Sequence, residues 1–144
     1  MKKFIWLLII ISIAFSQGDK NLLEKAKTAR ENGRLESAQE ALGDIITEYP
    51  DSKLLPEAYY TLAEINFRSG KFDLAQKHYK SVIKLQDNEL SSRSYFRMAK
   101  ISEKQDNVQM ALFYYLQIVN FYPNSTRAPV SRNFIKKYEK EIEY

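Results

Sequence analysis

The sequence predicts an all-α superhelix in which three helical hairpins stack side by side and a C-terminal helix closes the stack. Three observations predict it. Ala26, Ala63 and Ala99 recur 37 and 36 residues apart, as do Ala38, Ala75 and Ala111; such a period marks a solenoid, whose units bury their apolar faces only against neighbours. Within every unit, apolar residues keep helical spacing on either side of a turn-forming residue. The stretch EYPDSKLLPEA (Glu48–Ala58) is echoed by FYPNSTRAPVS (Phe121–Ser131), with a second proline six residues after the first in both: Pro50 and Pro56, then Pro123 and Pro129.

Residues 1–16 stand apart from the repeats. Lys2 and Lys3 precede an almost continuously apolar run, Phe4–Phe15, and Ala14 and Ser16 offer small residues at the −3 and −1 positions of a cleavage site. This pattern reads as a secretory signal peptide, and the run is shorter than the ~20 residues that span a bilayer. Cleavage after Ser16 leaves 20 basic against 18 acidic residues, so a formal charge of +4 becomes +2. That balance gives little reason to expect a nucleic acid partner. The chain is expected to be exported, as a periplasmic, cell-envelope or secreted protein that meets the membrane only through an uncleaved leader. With no cysteine, it needs no disulfide and offers no thiol for a lipid anchor.

The hairpins occupy residues 17–128. The first runs Leu22, Ala26, Ala29, then Gly33, then Ala38, Leu42, Ile45 and Ile46. The second runs Tyr59, Leu62, Ala63, Phe67, then Gly70, then Leu74, Ala75, Tyr79, Val82 and Ile83. In the third, Tyr95, Met98 and Ala99 lead to Asp106-Asn107, and Ala111, Tyr115, Ile118 and Val119 follow. Gly and Asx residues both make tight turns. Pro50 and Pro123 lack an amide hydrogen and stop the second helix of a unit, whereas Pro56 and Pro129 fall where the next helix starts and tolerates that lack. The middle junction, LQDNELSSRS, has no proline and relies on Asp, Asn and Ser. The recurrent alanines suit the closest helix crossings, where axes come within ~8–10 Å. Residues 129–144 complete the chain as a capping helix, with Val130, Phe134, Ile135, Tyr138 and Ile142 on its packing face and Glu139, Glu141 and Glu143 on its solvated side.

These marks resemble the tetratricopeptide repeat family. The first hairpin matches at Ala26, Ala38, Ile45 and Pro50, with Gly33 at the turn; the second at Tyr59, Leu62, Ala63, Gly70, Phe72, Ala75 and Tyr79; the third at Tyr95, Met98, Ala99, Ala111, Tyr115 and Pro123. The period exceeds the family's usual ~34, and the YPDS…PEA junction is similar to that of its envelope branch, which includes the tetratricopeptide domain of the Tol-Pal accessory protein and the outer-membrane assembly lipoprotein. The resemblance implies a protein-binding concave surface lined by the first helix of each hairpin. Carried over position by position, that groove contains Lys27 and Arg30, then Tyr60, Glu64, Phe67 and Arg68, then Arg93, Phe96 and Lys100, flanked by Leu23, Glu31, Glu103 and Lys104. Aromatic rings there would anchor apolar side chains, and the cations would pair with carboxylates.

Catalysis has no support in the sequence. His78 is the sole histidine, and no serine or cysteine motif supplies it with a nucleophile. One His, no Cys and scattered carboxylates give no metal-ligand spacing. The glycines are isolated, so there is no phosphate-binding loop, and no cofactor is implied. The expected function is that of a non-catalytic exported adaptor or scaffold, holding an acidic or apolar extended segment of a partner protein. The alternative is a structural envelope component that self-associates into a homo-oligomer through exposed aromatics such as Tyr114 or Phe121.

Overall fold

The computed structural model describes the backbone of residues 2–142 and the side chains of 17–138, and those residues form seven helices and no strand. Helices α1 (Lys2–Glu31) and α2 (Leu35–Glu48) make the first hairpin, α3 (Leu55–Arg68) and α4 (Phe72–Lys84) the second, and α5 (Asn88–Lys104) and α6 (Val108–Phe121) the third; α7 (Ala128–Ile142) follows. Each helix packs on the next in the chain, and α3 also meets α5, first helix to first helix, between the second and third hairpins. This is the neighbour-on-neighbour stacking of an α-solenoid. The leader's side chains, Ile142 and the Glu139, Glu141 and Glu143 alternation lie outside the described residues. Among the described residues, no helix is long and apolar enough to cross a membrane.

The alanine register explains why the helices come together where they do. Ala26, Ala38, Ala63, Ala75, Ala99 and Ala111 are all fully buried, and a side chain no larger than a methyl group lets two backbones approach at each of these crossings. Large rings fill the space between crossings. Tyr60 meets Tyr79 with centroids 5.7 Å apart, Phe96 meets Tyr115 at 5.8 Å, and Tyr115 meets Phe134 of α7 at 4.6 Å. The last of these contacts seats α7 on the third hairpin.

Each hairpin turns in the same way. Gly33, Gly70 and Asp106 occupy equivalent positions and take left-handed backbone conformations, with φ of +73°, +70° and +54°. The following amide then closes onto a first-helix carbonyl: Arg34 N to Ala29 O at 2.8 Å, Lys71 N to Asn66 O at 2.9 Å and Asn107 N to Ser102 O at 2.9 Å. Only the third turn places a Cβ in that region, which is unfavourable for an L-residue. Asp106→Gly should therefore stabilise the fold by roughly 0.5–1 kcal/mol. A rise of a few degrees in the thermal midpoint followed by circular dichroism is the expected result; no rise, or a fall, contradicts this reading of the turn.

The repeated Tyr-Pro junction is a latch. Ser52 Oγ accepts from Leu54 N at 3.0 Å and donates to Asp19 Oδ2 at 2.6 Å, fixing the turn against the first helix of its own hairpin. Ser125 repeats the arrangement, accepting from Arg127 N at 3.2 Å and bonding Ser92 Oγ at 2.8 Å. Asp19 and Ser92 are equivalent positions two periods apart, and Pro56 stands at the position between them. A proline has no side-chain hydrogen-bonding group, so the middle junction closes differently. Gln86 turns left-handed (φ +58°) and Asp87 caps α5 by accepting from Leu90 N at 2.8 Å.

Three expectations need correction. Val130 is 52% exposed; Phe134, Ile135 and Tyr138 pack as expected, but Ala128 and Ser131, on the turns before Ile135, take the place beside them that Val130 was expected to fill. Tyr114, expected at an exposed edge, is buried against Tyr95 and Phe113. Leu23 is buried in the first hairpin's core rather than facing a groove.

Candidate functional site: an arginine-lined cleft on the first helices

The first helices α1, α3 and α5 bring one cation-rich cleft together. It has a volume of about 290 Å³ and draws Arg30 from α1, Tyr60, Glu64 and Arg68 from α3, and Arg93 and Arg97 from α5, with Leu35, Thr61 and Ile65 completing its walls. Helical spacing makes this possible. Tyr60, Glu64 and Arg68 are four residues apart, as are Arg93 and Arg97, so each set projects from one face of its helix.

Glu64 organises the floor. Its carboxylate accepts from Arg97 Nε at 2.7 Å and from Arg97 Nη2 at 2.8 Å, a bidentate pair, and also from Tyr79 Oη at 2.5 Å. The glutamate side chain is only 13% exposed. Burial, reinforced by the bond to Glu64, raises the Tyr79 hydroxyl far above its ordinary pKa. Burial works against the charge of Arg97, but Glu64 more than offsets it and raises that pKa as well. The Arg97 guanidinium lies over the Phe67 ring, 5.1 Å from its centroid, and Phe67 in turn packs on Phe72.

The other cations of the cleft are not neutralised in this way. Arg93 stacks over the Tyr60 ring at 4.8 Å, and its Nε is buried with no hydrogen-bond partner. Arg30 and Arg68 are exposed, and neither enters an ion pair among the described residues. Three positive groups thus converge while the one carboxylate present is already committed to Arg97. A cleft of this composition attracts a carboxylate, and a guanidinium accepts one in bidentate geometry.

Five of the expected groove residues therefore meet: Arg30, Tyr60, Glu64, Arg68 and Arg93. Phe67 lies alongside as the support for Arg97. Lys27, Phe96 and Lys100 line no part of this cleft. Lys27 is paired with Glu57 at 3.3 Å and Glu24 at 3.4 Å, Lys100 pairs with Glu103 at 2.8 Å, and Phe96 packs on Tyr115. Glu103 also accepts a hydrogen bond from the Tyr115 hydroxyl. Arg97 is the contributor that the groove assignment omitted. Its position four residues after Arg93 was the available signal.

The repeat organisation agrees with the comparison to known families. The family model described as a tetratricopeptide repeat-like domain matches residues 15–118. The chain belongs to this tetratricopeptide repeat-like family. The match takes in all three hairpins up to Ile118 and leaves α7 outside it. No curated protein matches the sequence. Tetratricopeptide repeat-like domains are typically non-catalytic scaffolds that mediate protein–protein interaction. His78 sits on α4 with its ring 6.1 Å from that of Tyr59, and burial together with neighbouring Lys77 lowers its pKa, favouring a neutral imidazole. Among the described residues, no group of three or more acidic or histidine side chains is placed to hold a metal.

Proposed function

We propose that this tetratricopeptide repeat-like protein is a non-catalytic exported adaptor that holds an acidic segment of a partner protein on its concave surface. The observation behind this reading is the convergence of Arg30, Arg68 and Arg93, none of them ion-paired among the described residues, on a cleft whose one carboxylate is committed to Arg97. Side-chain carboxylates of the partner would lie against Arg30 and Arg68, and apolar groups beside them would contact the Tyr60 and Leu35 walls. Export, and a place in the envelope branch of the family, rest on the basic and apolar leader and on the Tyr-Pro-Asp-Ser junction.

Arg30→Glu/Arg68→Glu is the informative variant, because both side chains are exposed and neither enters an ion pair among the described residues. Crosslinking in cell envelopes should recover a partner with the wild-type chain and lose it with the double variant, with recovery falling by about tenfold or more. Equal recovery of every partner would remove the cleft from the binding surface. N-terminal sequencing of the chain from the envelope fraction should begin at Gln17; recovery solely from cytoplasm would remove the export part of the reading, whereas Met1–Ser16 retained in the envelope fraction would make the leader an uncleaved anchor.

A further inference from the structure

The outward faces of the three second helices differ in chemistry although their backbones repeat. Equivalent positions read Glu40, Lys77 and Phe113; Gly43, Lys80 and Leu116; Glu48, Leu85 and Phe121. The surface is thus acidic on α2, basic on α4 and apolar on α6. No residue of α6 carries a charge, yet Met110, Phe113, Leu116 and Phe121 are exposed on it, Phe113 at 50% and Phe121 at 68%. An outward helix face normally carries charged or polar residues, so something other than the packing of this chain accounts for that stripe.

Between α4 and α6 the surface dips into a trough. One part, about 410 Å³, has Lys80 and Lys84 on one lip and Phe113 on the other, above Ile83, Tyr95 and Tyr114. The adjoining part, about 630 Å³, shares Ile83 and Tyr95 and continues to Gln117, Phe121 and Tyr122. No acidic side chain lines either part, and neither lysine enters an ion pair among the described residues. From Phe113 to Phe121 the trough runs about 12 Å along α6, two helical turns.

We infer that this trough is a second docking site, separate from the arginine cleft, for an amphipathic helix of a partner protein whose apolar face is bordered by acidic residues. Apolar side chains one turn apart reach the Ile83–Tyr95 floor against the Phe113 and Phe121 rings, and acidic residues along one edge meet Lys80 and Lys84. The two lysines on one lip, with no acidic side chain opposite, favour an acid-edged helix, and a lipid surface is left as an outcome of the test. Charge gives a second copy of the chain little to offer: its acidic outward face, on α2, carries no exposed large apolar side chain among the described residues.

The test uses the full chain and two fluorescently labelled synthetic amphipathic helices with the same leucine face, one edged with glutamate and the other with lysine. Polarisation titrations should show the glutamate-edged probe binding about tenfold or more tightly than the lysine-edged one. Phe113→Ser/Phe121→Ser should abolish the difference by weakening both, and Lys80→Glu/Lys84→Glu should reverse the preference. These side chains are exposed, and circular dichroism of each variant checks that it folds before it is titrated. Arg30→Glu/Arg68→Glu should leave the titration unchanged, so this site can fail or hold independently of the cleft. Equal affinity for both probes overturns the proposal. So does phosphatidylglycerol vesicle binding that displaces the probe and depends on Phe113, which would make the face a membrane contact, or a dimer by light scattering that Phe113→Ser dissolves, which would make it a self-association surface.

Discussion

Glu64→Ala is expected to destabilise the protein by about 3 kcal/mol, because removing one partner of a largely buried ion pair leaves the other charge uncompensated. Breaking a buried pair typically costs about 3–5 kcal/mol, and the lower end applies because Arg97 retains 35% side-chain exposure and can recover some hydration. Part of that loss comes through Tyr79. Tyr79, with 0% exposure, loses the acceptor for its hydroxyl, and a buried hydroxyl without a partner costs about 1–3 kcal/mol by itself. A thermal midpoint lower by about 10 °C is the expected reading. Glu64→Gln should cost less, since an amide oxygen still accepts one bond. A midpoint within a degree or two of wild type would show that Glu64 does not tie α3, α4 and α5 together.

The same triad gives the protein an alkaline limit. The Tyr79 pKa is raised in the folded state, with burial as the first cause and Glu64 as the second. Below pH 10 the phenol is neutral in both states and has no effect on the balance. Above pH 10 the unfolded tyrosine ionises while the folded one stays protonated, so stability falls as pH rises from there. Tyr79→Phe should flatten that decline between pH 10 and 12, as read from urea midpoints at successive pH values.

How far these features could be read from the sequence depended on whether they repeat. The fold repeats: Ala26, Ala63 and Ala99 register three hairpins, and the paired prolines mark their junctions, because backbone approach and helix ends impose residue types directly. The Ser52 latch was visible as an echo but not as a hydrogen bond, since its partner Asp19 is 33 residues away and only the fold makes them neighbours. The cleft was half legible. Family positions pointed to Arg30, Tyr60 and Arg68, but which cations remain unpaired depends on contacts between hairpins. Lys27 and Lys100 belong to the same inward-facing register and are occupied by Glu57 and Glu103. Val130 misled because period alone marks a helical stripe without saying which of its edges the neighbouring helix covers.

Ala75→Phe should have the largest effect of any single change considered. Ala75 has 0% exposure on α4 and faces the second hairpin's interior, in one apolar cluster with Tyr60, Ala63 and Tyr79. A phenyl ring cannot fit unless α3 and α4 separate or the neighbouring tyrosines leave their rotamers. Overpacking typically costs about 1–3 kcal/mol, and more where the surroundings cannot shift. Here Tyr79 is anchored through Glu64 to Arg97, so a displacement at Ala75 also strains the α3–α5 connection. A solenoid transmits such a fault to its neighbours, since each hairpin is stabilised by the one beside it. The expected outcome is a loss of about 4 kcal/mol or more, with a transition broadened as the first and third hairpins lose their shared support. Ala75→Gly separates this steric effect from helix propensity, which accounts for only about 1 kcal/mol. A Phe variant melting at the wild-type temperature would mean that α3 and α4 do not cross at Ala75, and the alanine register of the whole stack would fall with it.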